Sequence, residues 1–323
     1  MFQIEPVLWL QSFDSAFVSW FFQTVTNLGY TWVYIILIMF LAFAVRMRPA
    51  LVILVCVLLT GIMTDALKTG LGMPRPVRHY EHAAMSGEEG PETRFEGVGA
   101  TGFWSWPSDE AIEAYRTVSE DSFGMPSGHV GAAAAFFLAL ALAFRSRGVW
   151  IFASIWIPLM ALSRMYLGRH FLADVLFGVA VGAFGVAVGW RIMRAFRDTE
   201  RTDLSQRAVR PLAVVSLSLL ILTPFTHLLD AETVGRLLGL LVACAFMIHR
   251  GFPSDSGGFR RRAARFLLAG VCYVAASRLL HVAMERTGWE DARLGEMAVA
   301  FVLMALILLP VELGRRLGLF RKT

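Results

Sequence analysis

The chain has 323 residues, of which 56% are hydrophobic and 17% are charged, and its mean hydropathy is +0.59. Soluble domains are about 45–50% apolar and about 25% charged, so this composition excludes an ordinary soluble protein and indicates a polytopic membrane protein. Three cysteines without paired spacing argue against a disulfide framework or a zinc site, namely Cys56, Cys244 and Cys272.

Residues 7–28 come first and are apolar on one side and polar on the other. This pattern predicts an interfacial helix, with a tenth membrane span as the alternative. Because Glu5 and Asp14 interrupt the apolar stretch and no basic flank precedes it, we expect no cleavable signal peptide.

Nine apolar runs of membrane-spanning length follow. The one long connection, from about 69 to 126, separates the second run from the third. The runs lie near 30–46, 50–67, 127–144, 148–166, 170–190, 211–229, 233–249, 263–285 and 295–313.

Basic clusters follow every odd-numbered run, whereas the alternate loops are acidic or nearly neutral. The positive-inside rule therefore predicts an all-α polytopic transmembrane helix bundle of nine spans, with its N-terminus outside and its C-terminus in the cytoplasm. Since the formal net charge of +5 lies on the cytoplasmic side, it is a topology signal and does not indicate a nucleic-acid partner. The basic residues include Arg46, Arg48, Arg145, Arg147, Arg191, Arg194, Arg250, Arg260, Arg261, Arg262, Arg315 and Arg316.

Polar residues concentrate at the outer ends of spans two to five. Span two ends in KTGLGMPRP, span three begins with PSGH, and SRMYLGRHFLAD forms a tight hairpin between spans four and five. Polar side chains at membrane depth are costly and usually face a partner or a cavity. These segments meet at one level and predict a pocket for a dianion, formed by Lys68, Arg75, Ser127, His129, Arg164, His170 and Asp174.

The residue types at this level indicate phosphate binding. Lys68, Arg75 and Arg164 can clamp the non-bridging oxygens of a phosphoryl group, for which the arginine fork is well suited. Ser127 and Gly128 open a helix, so free backbone N–H groups and the helix dipole favour the same anion.

The two histidines differ in their surroundings, which predicts separate roles. His170 and Asp174 lie four residues apart on one helix face, so the carboxylate can hold the proton of one ring nitrogen and leave the other as a nucleophile. His129 lies on another helix and is left as the acid that protonates the leaving oxygen. This division predicts a two-step phosphoryl transfer through a phosphohistidine.

In order and spacing, three segments of the chain resemble the three motifs of the type 2 phosphatidic acid phosphatase superfamily, over about residues 50–190. They are Lys68-x6-Arg75-Pro76, Pro126-Ser127-Gly128-His129 and Ser163-Arg164-x5-His170-x3-Asp174.

The resemblance implies a phosphatase without metal or other cofactor. In such an enzyme His170 is the nucleophile, Asp174 orients it and His129 is the general acid. The remaining motif residues, Lys68, Arg75, Ser127, Gly128 and Arg164, bind the phosphate. In topology alone, the nine-span layout is similar to the glucose-6-phosphatase and sphingosine-1-phosphate phosphatase branches, whereas the soluble vanadium haloperoxidases of the superfamily have no such spans.

The domain organisation follows from these assignments. We expect an interfacial N-terminal segment at 1–29, a catalytic helix bundle at 30–195 with the outer loop 69–126, and a four-helix membrane extension at 196–323. The predicted substrate is a phosphomonoester or diphosphate of a lipid that is delivered from the bilayer, and no obligatory protein partner is evident. The Ala- and Arg-rich composition favours a bacterial inner membrane with a periplasmic site, or a lumenal site in a eukaryote.

Other interpretations stay open at this level. The same site suits a lipid phosphotransferase or a sugar-phosphate phosphatase, whereas an anion transporter requires midplane charges and broken helices. Taken singly, Lys68 and Arg75 are ordinary snorkelling anchors, Ser127 an ordinary N-cap, and His170 with Asp174 an ordinary helical pair. Interface or lid roles are open for Trp104, Trp106 and Tyr115, and substrate contact is open for Arg78, His79, His82, Arg169, His227, Arg236, Arg278 and His281.

Overall fold

The computed structural model describes residues 1–13, 15–76, 100–118, 123–197, 216–287 and 293–320, and within these ranges helices are the only regular secondary structure. A π-helical turn, Leu41–Val45, extends α3, and residues 216–222 form the described part of α9. The other helices are α1 (Glu5–Gln11), α2 (Ala16–Asn27), α3 (Thr31–Phe40), α4 (Met47–Leu71), α5 (Asp109–Val118), α6 (Gly128–Phe144), α7 (Arg147–Tyr166), α8 (Leu172–Arg197), α10 (Ala231–Arg250), α11 (Phe259–Thr287), α12 (Arg293–Ala305) and α13 (Leu308–Arg316).

Six helical segments of the described chain are long and apolar enough to cross a membrane: α4, α7, α8, α10, α11, and α12 together with α13. They coincide with six of the nine predicted runs, so the chain is a polytopic helical membrane protein. The third predicted run is α6, an apolar helix of 17 residues.

The remaining predicted runs have a different form. The first, near 30–46, is divided between α3 and the π-helical turn, and this pair meets α2 at an angle of 55°. It therefore forms, together with α2, one bent span at most. The sixth run, near 211–229, lies partly outside the described residues. Nine spans and the orientation of the termini stay predictions.

The N-terminal amphipathic segment forms the two helices α1 and α2, where a single helix was expected. Its polar side chains turn inward onto α7: the Gln11 amide donates to the carbonyl of Tyr166 at 2.8 Å, and the Ser19 and Tyr166 hydroxyls lie 2.7 Å apart. The Thr26 hydroxyl lies 3.0 Å from that of Ser163. Several large apolar side chains point outward, namely Trp9, Phe13, Phe17 and Trp20, whereas Val7 and Val25 are buried. The interfacial placement of residues 1–29 stays a prediction.

Small residues bring the helices of the central bundle into close contact. A Cβ atom at Gly178 of α8 would lie 2.7 Å from the carbonyl oxygen of Ser127, and one at Gly182 would lie 2.6 Å from that of Gly131 in α6. Such small residues at helix contacts let backbones approach closely in membrane proteins. As a result, the second and third turns of α8 lie directly against the start of α6.

The C-terminal helices pack on the same bundle through α4 and α3. Gly235 and Gly239 of α10 lie against the carbonyl oxygens of Met297 and Phe301 in α12. Gly61 of α4 faces α10, and α11 contacts α3 and the π-helical turn. The site-bearing bundle and the C-terminal helices therefore share the walls formed by α3 and α4.

Candidate active site

A Schellman motif shapes the hairpin between α7 and α8. Gly168 adopts a left-handed backbone conformation with φ 68°, which favours glycine. Its N–H donates to the carbonyl of Met165 at 2.9 Å, and the N–H of Arg169 donates to the carbonyl of Arg164 at 3.0 Å. The chain therefore reverses within a few residues and keeps Arg164 beside the start of α8.

His170 and Asp174 face each other at the start of α8. They do not form the predicted pair on one helix face, because α8 begins at Leu172 and His170 lies in the turn before it. The Nδ1 atom of His170 lies 3.5 Å from Oδ2 of Asp174, and both side chains are buried. The backbone N–H of Phe171 donates to the same Oδ2 at 2.8 Å. Asp174 lies in the first turn of α8, where the helix dipole favours a carboxylate. The carboxylate is thus anchored, and it directs the other ring nitrogen, Nε2, away from itself.

Ser127 begins α6 without capping it. Its side chain accepts no capping hydrogen bond, and within the described chain its buried hydroxyl has no hydrogen-bond partner. Its backbone N–H donates to the carbonyl of Asp174 at 2.9 Å, which ties the first turns of α6 and α8 together. A buried polar group without a partner costs about 1–3 kcal/mol. A bound anion would satisfy this hydroxyl and the free N–H groups of α6.

Two extended segments lie side by side over Asp174. The N–H of Gly124 donates to the carbonyl of Met73 at 2.7 Å. A Cβ atom at Gly124 would lie 2.5 Å from the carbonyl oxygen of Pro74 and 3.2 Å from Oδ2 of Asp174, so a larger residue has no room there. This contact carries the chain from the end of α4 across the site and places Arg75 beside the starts of α6 and α8.

Positive charge dominates the electrostatics of the site. The rings of His129 and His170 both interact electrostatically with the same three cations, Lys68, Arg75 and Arg164. Burial holds the pKa of His170 well below its usual value of 6.5, and these cations lower the pKa further. The imidazole of His170 is therefore neutral at neutral pH, which is the state in which it is a nucleophile.

The structure brings all eight predicted site residues to one end of α4, α6, α7 and α8. Gly128 is the first residue of α6, and a Cβ atom there would lie 3.8 Å from Cγ2 of Thr64. Among the described residues, no group of three or more His, Cys, Asp or Glu side chains is arranged to hold a metal ion.

Other residues singled out in the sequence lie elsewhere or have other contacts. Arg169 is buried next to His170. Trp104 and Trp106 are exposed, whereas Tyr115 is buried. Polar contacts within the C-terminal helices involve His227 with Arg293, Arg236 with Glu232 and His281 with Glu285. Arg278 lies on α11, and Arg78, His79 and His82 lie outside the described residues.

The N-terminal segment contacts His129, which was not predicted from the sequence. Between α2 and α3, the ring of Tyr30 packs edge to face on that of His129, with centroids 5.1 Å apart. A Cβ atom at Gly29 would lie 2.8 Å from Cδ2 of His129. Only the Gly-Tyr pair at a helix junction pointed to this contact in the sequence.

A helix inside the long outer loop was also missed. The guanidinium of Arg116, on α5, donates to the carbonyl of Leu71 at 2.8 Å and so caps the end of α4. Gly72, with φ 61°, ends α4 beside this guanidinium. The hydrogen bond from Arg116 therefore holds α5 against the end of α4, about one helical turn beyond Lys68.

Comparison with known proteins points to one family. Residues 49–198 match the family model described as the PAP2 superfamily. A lipid A 1-phosphatase of Rhizobium johnstonii is 30% identical over 129 residues, which cover 40% of this chain and 41% of that protein. A phosphatidylglycerophosphatase B of Bacillus subtilis is 43% identical over 74 residues, 20% of this chain and 36% of that protein.

A lipid A 4'-phosphatase of Bacteroides thetaiotaomicron is 35% identical over 68 residues, which cover 21% of this chain and 29% of that protein. The chain thus spans less than half the length of each of these relatives. No solved structure matches the chain significantly.

Proposed function

We propose that the chain, of which residues 49–198 match the PAP2 superfamily model, is an integral-membrane phosphatase of lipid phosphomonoesters or diphosphates. The observation that carries the proposal is the meeting of three cations, two histidines and one carboxylate at one end of four helices inside this domain. Three cations at one point suit a phosphate dianion, since each can donate to a different oxygen.

In the first step the Nε2 lone pair of His170 attacks phosphorus. A nitrogen–phosphorus bond forms and the bond from phosphorus to the ester oxygen breaks. His129, which is protonated once the bound phosphate offsets the charges of Lys68, Arg75 and Arg164, gives that oxygen its proton. Asp174, which lies 3.5 Å from Nδ1, stabilises the positive charge that develops on the ring of His170. The products of this step are a phosphohistidine and the free lipid alcohol, or a lipid monophosphate when the substrate is a diphosphate.

In the second step water attacks the phosphohistidine. His129, now neutral, accepts a proton from the water, the nitrogen–phosphorus bond breaks, and inorganic phosphate leaves. Lys68, Arg75 and Arg164 hold the non-bridging oxygens throughout and stabilise the charge of both transition states. The Ser127 hydroxyl and the first N–H groups of α6 complete the phosphate cradle. These groups supply the charge stabilisation, so the proposed reaction needs no metal ion.

We further propose that the site faces the periplasm of a bacterial inner membrane. In support, Arg145 and Arg147 lie between α6 and α7 at the end of the bundle opposite the site, where the positive-inside rule places the cytoplasm. Trp104 is 77% exposed, and Trp106, two residues further along, packs on Phe2, which in turn packs on Phe171 beside His170. A Trp104→Cys variant should react with a membrane-impermeant maleimide in intact cells, whereas Arg145→Cys should react only after lysis. The reverse pattern would contradict this orientation.

Phosphate release tests the activity itself. The purified protein, and a His170→Ala variant as control, would be assayed with phosphatidic acid, phosphatidylglycerol phosphate, a polyprenyl diphosphate, a sphingoid phosphate and glucose 6-phosphate. We expect release from at least one lipid and none with the variant. Release from glucose 6-phosphate alone would replace the lipid substrate by a sugar phosphate, and phosphate uptake into vesicles without ester hydrolysis would indicate a transporter.

A further inference from the structure

A second cavity lies between α3 and α4 on one side and the C-terminal helices on the other. Its walls come from α3, α4, α10, α11, α12 and α13, and it has a volume of ≈ 150 Å³. The wall is apolar except for Thr31, Arg236, Cys272 and two tyrosines, Tyr34 and Tyr273.

The cavity begins beside the candidate active site. Tyr30 packs on His129, and the next residue, Thr31, lines the cavity. The lining continues along α3 to Ala42 in the π-helical turn, a length of roughly 16 Å at the helical rise of about 1.5 Å per residue. A molecule that occupies both the phosphate site and the cavity therefore has to pass only around the first turn of α3.

The surroundings of the cavity favour a hydrocarbon occupant. Apart from α3 and the π-helical turn, its walls belong to helices that are long and apolar enough to span the bilayer. Water gains no hydrogen bonds from an apolar wall, and empty apolar cavities forfeit dispersion contacts. A straight lipid chain meets both conditions and matches the elongated shape.

Tyr34 provides the polar feature of the cavity. Its side chain is 3% exposed, and within the described chain its hydroxyl has no hydrogen-bond partner. It lies one helical turn, about 6 Å, from Tyr30, and helical side chains lean toward the N-terminal end of the helix, which here is the end near the site. A carbonyl oxygen at that depth would accept a hydrogen bond from this hydroxyl, whereas a plain hydrocarbon would leave it unpaired.

We propose that the cavity binds one acyl chain of the lipid substrate, with the ester or amide carbonyl of that chain accepting a hydrogen bond from Tyr34. This proposal rests on the proposed lipid phosphatase function and narrows its substrate class to acylated lipid phosphates. An isoprenoid phosphate has no carbonyl to offer and gains nothing from the Tyr34 hydroxyl. The C-terminal helices, which lie outside the PAP2 domain, thereby contribute half of the chain-binding wall.

The test compares chain selectivity in three variants. Ala276 of α11 lines the cavity and is 8% exposed, so Ala276→Phe fills the space where the chain would lie. Val274 of the same helix is 58% exposed and does not line the cavity, so Val274→Phe is the matched control. Tyr34→Phe removes only the hydroxyl, so it still tests the proposal if Ala276→Phe fails to fold. Substrates would be a dipalmitoyl and a dibutanoyl phosphatidate, farnesyl phosphate and an aryl phosphate.

For each lipid, kcat/KM is divided by kcat/KM for the aryl phosphate, and this ratio is compared with that of the wild type. For Ala276→Phe we expect the ratio for the dipalmitoyl lipid to fall at least tenfold. The ratio for the dibutanoyl lipid should stay within twofold of the wild-type value. For Tyr34→Phe we expect kcat/KM for the dipalmitoyl lipid to fall about two- to tenfold relative to farnesyl phosphate, as the loss of one neutral hydrogen bond predicts. Unchanged ratios in both variants, or equal changes in Val274→Phe, would overturn the proposal.

Failure of the chain site is distinguishable from failure of the phosphatase function. If the wild-type protein hydrolyses none of the substrates, the proposed phosphatase function is wrong. Retention of lipid by the purified protein then tests whether the cavity binds an acyl chain. Mass spectrometry of the purified proteins should find acylated lipid retained by the wild type and the Val274→Phe variant and depleted in Ala276→Phe. Equal retention in all three would overturn the chain site whatever the enzymatic result.

Discussion

Tyr30 packs edge to face on His129, with ring centroids 5.1 Å apart and an interplanar angle of 72°. Gly29 lies against the same imidazole, where a Cβ atom would come within 2.8 Å of Cδ2. Aromatic pairs of this geometry contribute about 0.5–1.5 kcal/mol beyond their burial. The junction between α2 and α3 thus limits the positions that the proposed general acid can adopt.

Replacement of Tyr30 should therefore impair proton donation. For Tyr30→Leu we expect kcat to fall about tenfold or more on alkyl phosphates and much less on aryl phosphates, because general acid catalysis, typically about 10²–10⁴-fold, matters most for poor leaving groups. Tyr30→Phe keeps the ring and should behave like the wild type. Equal losses on both substrate classes in Tyr30→Leu would assign Tyr30 a structural role only.

The two histidines should respond differently to removal. His170→Ala leaves no nucleophile, so turnover and any trapped phosphoenzyme should both disappear. His129→Ala removes only the proton donor and should keep activity on aryl phosphates while losing about 10²–10⁴-fold on alkyl phosphates. Rapid-quench kinetics with both substrate classes would measure this. Aryl phosphatase activity that survives in His170→Ala but not in His129→Ala would mean that the roles are exchanged.

Asp174→Asn should weaken the nucleophile without opening the pocket. The carboxylate accepts from the N–H of Phe171 and lies 3.5 Å from Nδ1 of His170, and an amide cannot stabilise the cationic ring. We expect kcat to fall toward the roughly 10⁴-fold loss that follows the same change in a hydrolase triad, with vanadate binding retained. Asp109→Asn, an exposed substitution in α5, is the control. Loss of vanadate binding in Asp174→Asn would show instead that the pocket has collapsed.

Titration of His170 tests the electrostatics of the site. Burial, followed by the charges of Arg164, Arg75 and Lys68, lowers the pKa of His170 well below 6.5. The ring should therefore stay neutral as the pH falls from 7 through 6, a range in which a free histidine gains most of its charge. Ring ¹³C NMR, assigned by comparison with His170→Ala, would follow this. Bound phosphate should raise the pKa of His170 by offsetting the charges of the cations. A pKa of His170 near 6.5 in the phosphate-free protein would contradict the proposed effect of burial and of the three cations.

Metal removal and vanadate test the charge stabilisation. Because Lys68, Arg75 and Arg164 supply the positive charge in the proposed mechanism, kcat should be unchanged after EDTA treatment. Vanadate, which can take the geometry of a transferring phosphoryl group, should inhibit competitively. Arg164→Lys should weaken that inhibition, since a point charge cannot replace the two-pronged guanidinium. Activity that EDTA abolishes and Mg²⁺ restores would argue against this mechanism.

The candidate site could be predicted from the sequence because each of its three motifs is a short, continuous stretch of the chain. Gly168 dictates the reversal between Arg164 and His170, and Asp174, only four residues further along, lies in the first turn of α8 just after that reversal. Hydropathy alone identifies most of the long helices, since a span of lipid thickness must be apolar. Alternation of chain direction in an antiparallel bundle then brings the ends of α4, α6, α7 and α8 to the same level, whatever their lateral order.

Only the tertiary structure decided which helices lie beside one another. Four features join residues that are distant in the chain or on separate helices. They are the packing of Gly29 and Tyr30 on His129, the inward polar face of α2, the cap that Arg116 places on α4, and the cavity beside Tyr34. Hydropathy cannot predict such contacts, because helices in lipid carry apolar side chains on protein-facing and lipid-facing surfaces alike. Lateral order instead depends on close backbone approach at small residues such as Gly178 and Gly182, which becomes evident only when both partner surfaces are known.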